Sequence, residues 1–151
     1  MPYYRPNSTF KVKPNYHGLR RSRARMKAHS NSERAKLIRE LDRVFSLFIR
    51  ERDGQRCVQC QSSEELTCGH IYSRRNHSTR WDEENCHAQC WNHNASHSIN
   101  PHPYVNWFVE KFGYEALEKL HQRFLSIVRF SNEDLREMIS GYRLRLRKKA
   151  A

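Results

Sequence analysis

Two short cysteine and histidine pairs constrain this chain more than any other feature of it. Cys57-Val58-Gln59-Cys60 and Cys90-Trp91-Asn92-His93 each separate two soft ligands by two residues. At that spacing a tight turn aims both side chains at one ion. Together they offer three sulfurs and one imidazole nitrogen, a set that suits tetrahedral zinc. Five cysteines is an odd count, and Met1-Pro2-Tyr3-Tyr4-Arg5 lacks the apolar stretch of a signal peptide. The pattern therefore reads as metal binding in an intracellular protein, not as a disulfide framework. The 29 residues between the pairs exceed the spacers of simple zinc fingers, so a functional insert is expected there.

Composition sets the scale of the fold and the sign of its partner. A chain of 151 residues is about one domain long. Its hydrophobic fraction of 37% lies below the usual roughly 45–50%, so the core should be modest and a structural ion valuable to it. No apolar run is long enough to span a bilayer. Lys and Arg number 28 against 16 acids, a net charge of +12 that points to an anionic partner. The charge is concentrated at the ends. Residues 1–30 hold eight basic residues and no acid, including Arg20, Arg21, Arg23, Arg25 and Lys27. Residues 141–151 repeat the pattern with Arg143, Arg145, Arg147, Lys148 and Lys149. Like-charge blocks of this kind are expected to be disordered until they meet a polyanion. The chain thus divides into a basic, flexible arm over 1–30, one foldable domain over 31–140, and a basic tail over 141–151. Within the domain, residues 55–100 carry the metal-binding core and 104–140 form a helical tail.

Helical periodicity brackets the insert. Ser30-Asn31-Ser32-Glu33 resembles a capping box with Ser30 as the cap, and Leu37, Leu41, Val44 and Phe48 then recur on one face until Asp53-Gly54. Further helices are expected from Tyr104 to Phe112, from Tyr114 to Val128, and from about Ser131 onward. The insert itself reads as a strand over Leu66–Tyr72, a polar and basic loop over Ser73–Arg80, a strand over Asn85–Gln89, and a short helix opening at Asn94. A zinc ion joining the two pairs would bring His70 and Asn94 into one neighbourhood, with Arg74, Arg75 and Arg80 supplying phosphate contacts. Cys68 and Cys86 read as small apolar fillers of the two strands.

The pattern Asn85-x-x-x-x-Cys90-x-x-His93-Asn94, with His70 upstream, resembles the HNH or ββα-metal nuclease motif. The closer resemblance is to the phage NinG family, also called Rap, recombination endonucleases that act on branched DNA. It is carried by Gly69-His70-x-x-Ser73-Arg74, Arg80-Trp81, Asn85, His87-x-Gln89-Cys90-x-x-His93-Asn94 and Ser98-x-Asn100, and covers roughly residues 40–147. The resemblance implies an α+β, mostly helical fold, with a small zinc-bound ββα-metal core flanked by an N-terminal helix and C-terminal helices. It implies that His70 is the general base, that Asn94 holds a catalytic Mg²⁺ or Mn²⁺, and that Asn85 positions the loop facing His70. Cys57, Cys60, Cys90 and His93 would hold structural Zn²⁺. Gly69 stands where many such nucleases carry an acid or a second His, and His97 is the nearest candidate for the missing ligand. Holliday junctions and displacement loops are the implied substrates, a homodimer would supply two active sites for a junction, and a bacterial host cytoplasm is the implied setting. The alternative is a zinc-stabilised DNA-binding or architectural protein without catalysis, since the basic arms and paired knuckles serve both readings.

Overall fold

The computed structural model describes residues 32–150; the arm with Arg20, Arg21, Arg23, Arg25 and Lys27 lies outside the described residues. The first helix, α1 (Glu33–Arg52), is capped by Ser32, whose Oγ accepts from the Ala35 N–H at 3.2 Å. The expected cap, Ser30, is two residues too early. The helix buries Leu41, Val44, Phe45, Phe48 and Ile49, the stripe its periodicity announces. It ends at Asp53, where Gly54 turns the chain with φ of +71°, a left-handed conformation open to glycine.

Two strands follow, β1 (Leu66–His70) and β2 (Cys86–Cys90), paired antiparallel with Leu66 opposite Cys90 and His70 opposite Cys86. Their connection holds a one-turn helix, α2 (His77–Arg80), within the stretch expected as loop. All five residues of β2 are buried, so this two-stranded ribbon is covered on both faces. The strand expected to reach Tyr72 ends at His70: Ile71 N–H still donates to the Asn85 carbonyl at 2.9 Å, and at Tyr72 the Asn85 side chain takes over. Directly after β2 comes α3 (Trp91–His97), which starts three residues earlier than expected. Then come α4 (His102–Phe112) and α5 (Tyr114–Leu125), separated by Gly113. The third expected helix overreaches: at Ser126 the backbone turns extended, and Ile127 and Val128 are exposed.

The last helix, α6 (Asn132–Ala150), runs through the basic stretch that the charge pattern assigned to a tail. Acids on neighbouring elements pair with two arginines of that stretch. Arg143 donates to Glu40 at 2.6 Å, and Arg145 pairs with Glu83 while its guanidinium sits 4.0 Å from the Phe48 ring centroid. Helices α1 and α6 run side by side in the same direction, with Arg34 reaching Asn132 near their starts and Lys149 reaching the Glu51 carbonyl near their ends. Their core gathers Leu41, Phe45, Phe48, Leu135 and Ile139 with Trp81 and Cys86. A second core of Ile71, Tyr104, Phe108 and Leu120 lies between the ribbon, α4 and α5. The fold is mostly helical α+β, as the resemblance implies. None of the described helices is long and apolar enough to cross a membrane.

Candidate functional site

The paired knuckles meet. A tight turn carries the first pair, with Gln61 N–H donating to the Cys57 carbonyl at 2.8 Å, and Val58 N–H donating to Ala88 O at 2.9 Å docks that turn on β2. Cys90 ends β2 and His93 lies in the first turn of α3, so the strand-to-helix junction aims the second pair. Cys60 Sγ lies 3.9 Å from Cys90 Sγ, and His93 Nδ1 lies 3.5 Å from Cys57 Sγ and 3.2 Å from Cys90 Sγ. All four ligand atoms fall within 4.8 Å of one another. Metal-ligand bonds of about 2.0–2.3 Å around tetrahedral zinc require separations of this order. Burial pushes the Cys57 thiol up, but the backbone amides of Cys90, Cys60 and Gln59 outweigh it and hold the group at about 7. That favours the thiolate a metal needs. The donor set fits a closed structural zinc site with no position left for substrate.

The ribbon places His70 on the same face as Cys68 and Cys86, toward α1. Its Nε2 lies 3.0 Å from the Arg80 carbonyl. A carbonyl only accepts, so this bond puts the proton on Nε2 and leaves Nδ1 with a lone pair. Burial, helped by the charge of Arg74, lowers the His70 pKa against the opposing pull of the Arg80 and Cys68 carbonyls. The lowering favours the neutral ring, the form a base requires. His70 opens on a cleft of about 390 Å³ that Asn94, Arg74, Arg50, Asp42 and Cys68 also line. The expected meeting of His70 and Asn94 across the ribbon therefore occurs.

Asn85 does not face the cleft. It is fully buried, and its amide holds the connection between the strands: Nδ2 donates to the Tyr72 and Thr79 carbonyls, each at 2.9 Å. Since Arg80 follows Thr79, this staple fixes the segment whose carbonyl orients His70. Arg80 also lines the cleft, while Arg75 and His97 do not. The Arg80 guanidinium is spent on Asp42, at 2.9 and 2.6 Å, and on the Arg74 carbonyl at 3.0 Å. Its carbonyl is the partner of His70. Arg75 lies on the far side of the loop, beside Phe124 and Ile127. His97 is not among the residues lining the cleft. Its ring points to the Ile71 carbonyl at 3.4 Å and stands edge-on to Tyr104, with centroids 5.1 Å apart.

Gly69 has a steric reason to be glycine. A Cβ there would lie 1.8 Å from Gln89 Oε1 and 2.5 Å from Gln89 Cδ. Gln89 is fully buried and donates to Gln59 Oε1 at 2.6 Å. An acid at this position, as in many HNH nucleases, has no room. The cleft acid is instead Asp42, which the sequence reading missed, along with Arg50. Asp42, Ser46 and Arg50 recur every four residues along α1, a polar row at the edge of the apolar stripe. That spacing was the available signal. Both Asp42 oxygens already accept, from Arg80 and from Trp81 Nε1 at 2.9 Å. For a hard divalent cation the side chains of the cleft thus offer one amide, the Ser46 and Thr67 hydroxyls and one occupied carboxylate. Such a set is thin for a resident hard cation, which takes about six or more oxygens.

A family model described as "Bacteriophage Lambda NinG protein" matches residues 9–150. The chain is 28% identical over 117 residues to "Protein ninG" of Salmonella phage P22, a match covering 73% of this chain and 56% of that protein. The chain thus spans little more than half the length of this curated relative. No solved structure matches it.

Proposed function

We infer that this chain, which belongs to the bacteriophage lambda NinG family, is a metal-dependent endonuclease of the HNH type that hydrolyses phosphodiester bonds in branched DNA. The observation that carries the reading is the His70 ring, fixed on Nε2 by the Arg80 carbonyl and opening on the cleft that Asn94 lines. The order β1, β2, α3, with the histidine ending the first strand and the asparagine on the helix, supports it.

In this reading the neutral His70 takes a proton from water as the water attacks the scissile phosphorus, and the Arg80 carbonyl stabilises the imidazolium that forms. Arg74 and Arg50 at the cleft wall draw in the phosphate. Asn85 acts as a positioning residue through the Thr79–Arg80 segment. Asn94 would hold a divalent cation in the cleft, which when bound would supply charge neutralisation at the phosphate. The engagement of Asp42 by Arg80 favours one second reading, a zinc-stabilised DNA-binding protein without catalysis, because it leaves the cleft poor in free cation ligands.

Labelled four-way junction, displacement-loop, duplex and single-stranded DNA, incubated with Mg²⁺ or with EDTA, separate the two. Metal-dependent cutting confined to the branched substrates supports the nuclease. Binding of all four without cutting under Mg²⁺ or Mn²⁺ moves the assignment to the architectural protein.

A further inference from the structure

The closed zinc knuckle is not the only place where soft ligands converge. Cys68, His70 and Cys86 share one face of the ribbon, with His70 and Cys86 directly opposite in register and Cys68 two residues before His70. One ligand atom from each lies within 4.8 Å of the others. We propose that these three residues form a second, thiophilic metal site that overlaps the imidazole of the cleft and silences it when occupied. The silencing rests on the nuclease reading; the metal site does not.

Both cysteines do pack as apolar residues: Cys86 is wholly buried in the α1–α6 core, and Cys68 packs against it. Packing alone, however, does not ask for a ring nitrogen beside two sulfurs. The set differs from the knuckle in one chemical respect. It provides three protein ligands, and Cys68 and His70 open on the cleft, so solvent can fill the fourth position. A site of that kind exchanges its ion, whereas a closed four-ligand site retains it. Two thiolates and an imidazole select Zn²⁺ or Cd²⁺ over Mg²⁺ and Mn²⁺, which prefer oxygen. The nuclease cation and this one therefore do not compete for the same donors.

Either ring nitrogen gives the same consequence. An ion on Nδ1 consumes the lone pair that would accept the proton from water. An ion on Nε2 replaces the hydrogen bond to the Arg80 carbonyl and frees the ring from its orientation. Each mode removes the base without touching DNA binding by Arg74 or Arg50. The site would make cutting sensitive to free thiophilic metal while Mg²⁺ remains abundant.

The test uses the full chain, stripped of metal and titrated with Cd²⁺, following the thiolate-to-cadmium charge-transfer absorption and bound cadmium by elemental analysis. The parent chain should take up about two ions and Cys68→Ala about one, with far-ultraviolet circular dichroism unchanged. Cys68→Ser, which keeps the volume, should behave like Cys68→Ala. One ion in the parent, or two in both variants, overturns the site. In the second arm, Zn²⁺ beyond the first equivalent should lower Mg²⁺-driven cutting by about tenfold or more in the parent and spare Cys68→Ala. Equal cutting with and without that Zn²⁺, in a parent that binds two ions, overturns the silencing. A chain that never cuts refutes the nuclease reading, and the cadmium count still decides the site.

Discussion

Asn85 and Tyr72 are joined at both ends of one amide: the asparagine Oδ1 accepts from Tyr72 N–H at 2.8 Å, and its Nδ2 donates to the Tyr72 carbonyl at 2.9 Å. The side chain continues the ribbon where backbone pairing stops, one residue past His70. It also reaches Thr79 and so governs the segment that presents the Arg80 carbonyl. Asn85→Ala strands these buried groups and should cost about 1–3 kcal/mol in urea denaturation. Asn85→Asp should cost more, since it turns an acceptor toward two carbonyls. Cutting should fall further than DNA affinity in Asn85→Ala. A variant as stable as the parent would show that the staple is ornamental.

The zinc knuckle makes the strongest stability prediction. Structural zinc in small peptides contributes on the order of 10 kcal/mol, above the roughly 2–5 kcal/mol of a large core truncation. Stripping the ion should therefore lower the thermal midpoint more than Phe45→Ala does, and Zn²⁺ should restore it. An apo chain that melts at the parent temperature would remove zinc from the fold.

His87 sets an acid limit on stability. It is buried, its Nδ1 accepts from Arg52 Nη2 at 2.9 Å, and its ring meets Trp107 with centroids 4.8 Å apart. Burial first, then the charge of Arg52, pull its pKa down to about 4 against the opposing pull of Asp53 and the Glu84 backbone. The unfolded chain binds that proton near pH 6.5. Between these values the unfolded state holds more protons, so the stabilisation is fully present above about pH 6.5 and is lost progressively as pH falls toward 4. His87→Phe, which cannot titrate, should flatten this part of the profile; an unchanged slope would assign the acid sensitivity elsewhere.

Gly69 and Gln89 should behave as a coupled pair. Gly69→Ala should destabilise by about 1–3 kcal/mol, because its Cβ displaces the buried Gln89 amide from Gln59. In a Gln89→Ala background the same change should cost far less. Additive losses would mean that the strand backbone, not the Gln89 side chain, refuses a side chain at 69.

How much of this was legible depended on distance along the chain. The knuckles, the α1 stripe and the helix stop at Gly113 are local patterns and could be read directly. Joining the knuckles is enough to bring His70 and Asn94 together, because Cys90 and His93 lie at the junction where the ribbon meets α3. The pairing of Asp42 with Arg80 spans 38 positions and leaves no periodic trace beyond the polar row on α1. His97 is only a candidate ligand from the sequence because three-residue spacing fixes no more than its face of the helix. Its direction is decided by Tyr104 and the Ile71 carbonyl. The basic C-terminal block was mistaken for a tail because its partners, Glu40 and Glu83, lie far away in sequence.

In the proposed mechanism His70 performs the chemistry while other residues hold the DNA. Its most direct test is His70→Ala on a labelled four-way junction with Mg²⁺, measuring cutting and binding on the same preparation. Cutting should fall by about 10²-fold or more, with affinity within a few fold of the parent. Cutting at the parent rate by a folded His70→Ala chain would contradict it.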